Sequence, residues 1–436
     1  MSDFHEAKAH LQGLRRKFEG LLERASGKEA SPLPASAENA NCLREVAAFG
    51  SNPGNLRMLV YEPKRLPRSS PVVVALHGCS QTAAKYDRGS GWSQLADSLG
   101  FAVVYPEQQP ANNPNNCFSW FLPGDTTRGE GEALSIRQMV EHAVAALHVD
   151  RQRVFITGLS AGGAMASVML ATYPEVFAGG AIIAGLPYGC ARTVQQAFEA
   201  MFKEQSMAAP ALGDRVRAAS KNRGSWPKIS VWHGTADPIV KPANSEEIVR
   251  QWTDLHGLAT APSYAEAIGG HVRRVWNDAD GETLIEAFSI GGMAHGVPLA
   301  TRGEDSCGAV GAFFLDAGIS STHHIASFWR LSEDSAAMPR TTAVVLAAPA
   351  PIWSNASTDV AAGAALFGAS DSDAPSFAAD VDTTRRLDPN HVIAKAFRAA
   401  GLSVPELADM PPGTASHVDP AAIIKAALKA AGLRRS

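Results

Sequence analysis

From about residue 41 the chain alternates short apolar runs, rich in β-branched residues, with longer stretches that have helical spacing. The runs read NLRMLVYEP, PVVVALHG, FAVVYPE, RVFITG, GGAIIAG, KISVWHG, RRVW and LIEAFSI. Unbroken apolar runs of strand length separated by helices predict strands buried on both faces of a mostly parallel sheet. Residues 41–332 are therefore expected to form one α/β domain. Ahead of it, Phe4, Ala7, Leu11, Leu14, Phe18 and Leu21 recur in steps of three and four among Lys, Arg and Glu. This spacing predicts an amphipathic helix over 3–25, with a Pro/Ser/Ala linker running to residue 40. The apolar seam has several candidate partners: the main domain, a second copy of the chain, a membrane or another protein.

Beyond residue 332 the pattern dissolves. Ala, Ser, Asp, Thr and Gly dominate 333–380, the composition of a linker. Residues 381–436 contain a repeat, in which Asp388-Pro389 through Gly401-Leu402 returns as Asp419-Pro420 through Gly432-Leu433. Each copy predicts a short helix with Asp as N-cap, Pro in the first turn and Gly just past the end. Val392, Ile393, Ala396, Phe397 and Ala400 form an apolar stripe in the first copy, and Ile423, Ile424, Ala427, Leu428 and Ala431 in the second. Neither helix can bury its stripe alone. The two either pack on each other or on the 41–332 domain, or they dock on a polymer, a granule or a partner.

Charge narrows the function classes. With 39 Lys/Arg against 43 Asp/Glu the chain carries −4 overall, so no global basic field draws in nucleic acid. No run approaches the ~20 apolar residues of a membrane-spanning helix, and an integral membrane protein is not expected. The start, MSDFHEAKAHLQGLRRKFEG, lacks the basic, apolar and small-residue segments of a secretory leader, which makes a cytoplasmic address the expectation. Cys42, Cys79, Cys117, Cys190 and Cys307 show no zinc-site spacing, and no metal is expected.

The chemistry concentrates at Arg153-Val-Phe-Ile-Thr-Gly-Leu-Ser160-Ala-Gly-Gly-Ala-Met-Ala166, a G-x-S-x-G that closes a strand run and opens a helical one. Glycines two before and two after the serine are what a sharp strand-to-helix turn needs, so Ser160 is the candidate nucleophile. A serine hydroxyl requires a histidine base, and that base requires an acid to orient it. Asp237 leaves the strand KISVWHG in the loop TADPIV, and His295 lies in GGMAHG after LIEAFSI. The order Ser160, Asp237, His295 is the nucleophile–acid–base order of α/β-hydrolases. His271 is the runner-up base, and Asp278 or Asp280, in the hairpin turn NDADGE, the next acids. For the oxyanion hole, the amide after the nucleophile, Ala161, and one in the LHGCSQ turn, Cys79, are nominated. In NNCFSWF the aromatics either anchor the core or, at Trp120, line the acyl or leaving-group pocket. The acids of DTTRGEGE, 125–132, read mainly as helix-capping carboxylates.

LHGCSQ, YDRGSGWSQLADSLGFAVVYPEQ, NNCFSWF, GLSAGGAMA, HGTADPIV and MAHG together resemble the poly(3-hydroxybutyrate) depolymerase family of esterases, relatives of feruloyl and acetylxylan esterases. The resemblance covers about 41–331. It implies an α/β-hydrolase fold, ester hydrolysis with no cofactor, the triad Ser160, Asp237 and His295, and a Cys79–Cys117 disulfide. It also implies an extracellular alternative to the cytoplasmic address. A second bond, Cys190–Cys307, is expected from the placement of both residues in loops of the catalytic face. The resulting expectation is a serine esterase acting on short hydroxyalkanoate polyesters or oligomers. The alternatives are a feruloyl or acetylxylan esterase, or a non-catalytic polymer- or granule-binding protein that associates through its terminal helices.

Overall fold

Every one of the apolar runs becomes a strand of one sheet. The computed structural model describes residues 43–332, apart from 204, 205, 221 and 223, together with the backbone of 344–346. The amphipathic segment 3–25 and the repeat in 381–436 lie outside the described residues. The strands are β1 (Arg44–Val46), β2 (Arg57–Tyr61), β3 (Val72–Leu76), β4 (Ala102–Glu107), β5 (Val154–Leu159), β6 (Gly179–Ile183), β7 (Lys228–Gly234), β8 (Tyr264–Ile268), β9 (His271–Asn277), β10 (Thr283–Ile290) and β13 (Val344–Leu346). They lie in the order β1-β2-β4-β3-β5-β6-β7-β10-β9-β8-β13, and β11 (Val297–Leu299) pairs separately with β12 (Phe314–Asp316). From β4 through β10 neighbouring strands run parallel. Both flanks are antiparallel.

The helices are α1 (Ala83–Ser90), α2 (Trp92–Leu99), α3 (Pro123–Thr126), α4 (Gly131–Leu147), α5 (Ala161–Thr172), α6 (Val194–Phe202), α7 (Ala209–Ala219), α8 (Ala243–His256) and α9 (Ser321–Phe328). In β3, β4, β5 and β6 every residue is buried, so both faces of the central sheet are covered. This is the α/β-hydrolase fold. Register aligns the strand ends: Leu76 sits opposite Gly158, Leu159 opposite Ile183, Ile183 opposite Trp232, and Gly234 opposite Ile290. The loops that leave this shared carboxyl edge carry Cys79, Ser160, Asp237 and His295. A parallel sheet gathers its chemistry at that edge, because successive strands all deliver their C-terminal loops to the same side.

Candidate active site

Ser160 occupies the single residue between β5 and α5, with φ 58° and ψ −118°. A non-glycine residue held there costs about 1–3 kcal/mol, so the surroundings must fix it. Its amide donates to Ile183 O at 2.9 Å, and its carbonyl accepts from Ala164 N at 2.9 Å. The flanking glycines are required by contact as well as by the turn. A Cβ on Gly158 would overlap the Gly162 backbone, and one on Gly162 would overlap the carbonyls of Leu76 and His77. Every residue of α5 is buried, so the turn is clamped from all sides, with a helix N-terminus beneath the hydroxyl.

Asp237 and His295, the candidate acid and base, are stitched together by their loops. Thr235 N donates to Ile290 O, Ala236 N to Met293 O, and Gly292 N to Thr235 Oγ1, at 3.0, 3.0 and 2.8 Å. This brings His295 Nδ1 to 2.7 Å from Asp237 Oδ2. Asp237 Oδ1 accepts the amides of Ile239 and Val240 at 2.8 and 2.9 Å. One carboxylate oxygen thus holds the turn while the other meets the imidazole. Burial alone would raise the Asp237 carboxyl, but His295 and His233 together outweigh it and hold it well below the usual carboxylate range. A carboxylate accepting from Nδ1–H leaves His295 Nε2 as the basic nitrogen.

His233 went unassigned in the sequence, although it stands in the quoted run KISVWHG. Its Nε2 lies 2.9 Å from Val240 O and 3.2 Å from Asp237 Oδ2, behind the acid. His271, the runner-up, is occupied elsewhere: its Nε2 bonds Ala317 O at 2.8 Å, and its Nδ1 accepts from Gly291 N at 3.2 Å. Asp278 caps its own turn by accepting from the amides of Asp280 and Glu282.

On the other side of Ser160, Cys79 and Cys117 form a disulfide. The amides flanking Cys79 are committed, Gly78 N to Gln81 Oε1 at 2.9 Å and Ser80 N to Asn115 O at 2.7 Å. Ala161 opens α5, where an amide has no acceptor within its own helix. Below the turn lies a buried polar chain that the sequence did not reveal. His77 Nδ1–H donates to Gly78 O at 2.7 Å, and Nε2 accepts from Gln108 N at 3.0 Å. Gln108 Nε2 donates to Glu132 Oε1 at 2.6 Å, and Glu132 Oε2 accepts Ser119 N at 2.9 Å. Burial, reinforced by Asp125, pushes the Glu132 carboxyl up to about 8. Of the acids read as caps, Glu132 is therefore a buried crosslink, whereas Asp125 does accept the Glu132 amide at 3.2 Å.

The expected Cys190–Cys307 bond does not form. Both thiols are free; Cys307 packs against Ser320 Oγ at 3.4 Å, and burial pushes the Cys190 thiol up to about 12. Position in a loop of the catalytic face did not bring the two sulfurs together. The aromatic loop divides its labour. Phe118 is wholly buried against the His77 ring, with centroids 4.9 Å apart, whereas Trp120 and Phe121 line a cleft.

Residues 58–274 match the family described as Esterase PHB depolymerase. Over 299 residues the chain is 47% identical to poly(3-hydroxyalkanoate) depolymerase C of Paucimonas lemoignei, covering 68% of this chain and 72% of that one. The chain belongs to the PHB depolymerase esterase family. An acetylxylan esterase of Coprinopsis cinerea is 35% identical over 63% of this chain and 73% of its own length. Among solved structures, acetyl xylan esterase from Aspergillus awamori superposes with a TM-score of 0.54 at 28% identity, covering 58% of this chain and 94% of that one. Members of this esterase family are carboxylic ester hydrolases, and so is this chain. Among the described residues no helix is long and apolar enough to cross a membrane.

Proposed function

We propose that the protein hydrolyses short-chain hydroxyalkanoate polyesters or oligomers through an acyl-enzyme on Ser160. The observation that carries the mechanism is the buried Asp237–His295 contact of 2.7 Å, on the same sheet edge as the strained Ser160 turn. Ser160 Oγ attacks the ester carbonyl while His295 Nε2 takes its proton. The amides of Cys79 and Ala161 hold the oxyanion. Collapse expels the alcohol, which leaves with the proton from His295, and water then releases the acid by the same steps in reverse. Asp237 keeps Nδ1 protonated and stabilises the imidazolium. The substrate class rests on the similarity to the Paucimonas lemoignei depolymerase. The acetylxylan esterase likeness supports a second reading, acetyl-ester hydrolysis on polysaccharide.

A structural disulfide is characteristic of oxidising compartments, so we place the working enzyme outside the reducing cytosol, against the cytoplasmic expectation. The test of function is turnover of 3-hydroxybutyrate oligomers, acetylated xylan and methyl ferulate by the wild type and by Ser160→Ala. Preference for the oligomers, abolished in the variant, is expected. Preference for acetylated xylan would transfer the assignment to the second reading, and equal activity in the variant would remove the mechanism.

A further inference from the structure

Beside the aromatic loop runs a cleft of about 640 Å³, walled on one side by 120–128 and on the other by 188–192 and α7. Both walls lead away from the proposed reaction centre. Trp120 lies shortly after Cys117, which is bonded to Cys79, and Tyr188 follows the strand whose Ile183 carbonyl receives the Ser160 amide. The second wall is built in advance of any ligand. Buried Gln251 accepts from Tyr188 N at 3.0 Å and donates to Tyr188 O and Leu212 O at 3.1 and 3.0 Å, lashing the loop to α7. Arg215 adds a bond from Nη1 to Gly189 O at 2.8 Å.

The lining combines aromatic rings with cations. Trp120, edge-on to Phe121 with centroids 5.2 Å apart, and Tyr188 supply rings. Three arginines also face the cleft: among the described residues Arg128 is paired with Glu175 at 2.6 and 3.1 Å, Arg215 has Glu247 within electrostatic reach, and Arg192 is exposed. Among the described residues no carboxylate lies within 4.0 Å of the Arg192 or Arg215 guanidinium. Acids on nearby turns are already paired, Asp214 with Arg217 at 2.8 Å and Glu247 with Arg250 at 2.6 Å. Such a surface suits a linear molecule that is apolar along its length and carries one anionic end.

We propose that this cleft is a subsite for the free carboxylate end of a linear hydroxyalkanoate oligomer, with Arg192 and Arg215 as its cations and Trp120 against the adjoining ester unit. The assignment rests on the function proposed above and narrows it. Each cut of a hydroxyalkanoate ester frees a new carboxylate on the acyl half and a new hydroxyl on the alcohol half. The carboxylate that the oligomer already carried at its end stays with the half that departs as the alcohol, so the subsite lies on the leaving-group side of Ser160. It makes the enzyme a shortener of acid-ended oligomers in preference to a cutter of capped or interior chain.

The test compares the 3-hydroxybutyrate trimer as free acid with its methyl ester, which removes the charge and keeps the ester backbone. Wild type is expected to favour the free acid, and added NaCl should erode that advantage while leaving the methyl ester unchanged. Arg192→Gln and Arg215→Gln should each raise KM for the acid about tenfold, leave kcat near wild type, and change the methyl ester less than about twofold. Arg215→Gln also loses the bond to Gly189 O, so the exposed Arg192→Gln is the decisive variant, with melting curves for both. Equal turnover of acid and ester by wild type, or equal losses on both in Arg192→Gln, overturns the subsite and leaves the esterase reading standing. Turnover of neither trimer overturns the substrate reading and the subsite with it.

Discussion

At the scale of single residues, most of the proposed chemistry was readable because it depends on chain order. Glycines around Ser160, an acid after KISVWHG and a histidine after LIEAFSI each advertise a strand end. Ser160→Ala should lower kcat on p-nitrophenyl butyrate by at least about 10⁴-fold with an unchanged melting temperature, since the side chain carries chemistry and little packing. Asp237→Asn should cost about 10³–10⁴-fold in kcat and much less in KM, because it acts on the imidazolium of the transition state. A pre-steady-state burst present in wild type and lost in Ser160→Ala would separate acylation from binding. His233, His77, Gln108 and Glu132 were not legible. Their roles arise from contacts with residues far along the chain, such as Gln108 with Glu132, and no local motif encodes those.

Among elements, the strands read most clearly were those buried on both faces, where a run such as VVVAL has no polar alternation to confuse it. Of the strands that escaped, REV of β1 and YAEAI of β8 sit toward the antiparallel flanks and carry charge in the run, and β11, β12 and β13 are only three residues long. The turn around Cys79, the proposed oxyanion turn, is held by two different ties, a covalent one and a buried polar one, and each has its own signature. The disulfide spans 38 residues, a loop for which chain entropy gives about 3–4 kcal/mol, so Cys79→Ser/Cys117→Ser should melt lower and turn over more slowly. Glu132 supplies the pH dependence. Its carboxyl stands at about 8 in the fold against 4.5 unperturbed, so the folded state holds this proton more tightly than the unfolded chain. That stability is fully present below about 4.5 and is lost as pH rises through about 8. Melting temperatures taken from pH 5 to 9 should fall in wild type and fall less steeply in Glu132→Gln; parallel curves would exclude Glu132 as the source.

For the whole molecule, the composition shift after residue 332 marks off a segment whose contribution must be measured by removing it. Residues 385–436 carry eight Lys/Arg and four Asp/Glu on a chain of net −4, and the two helices expected there from the repeat would offer apolar stripes to a hydrophobic polyester surface. Truncation after residue 380 should leave p-nitrophenyl butyrate activity within about twofold and reduce release from polymer particles about tenfold, the effect of losing local concentration. A matching fall in both activities with a lower melting temperature would give these residues a structural role instead. The fully buried α5 has a different implication, one for how the fold can diversify. Because backbone presses on backbone at Gly158 and Gly162, random substitution there yields dead protein, whatever the selection applied. The cleft-lining stretches at 120–128 and 188–192 are more open to solvent and have room to vary. A library built to change substrate preference therefore belongs in those walls, and lineages of this fold should have explored new esters by rewriting the same few turns while the elbow stayed frozen.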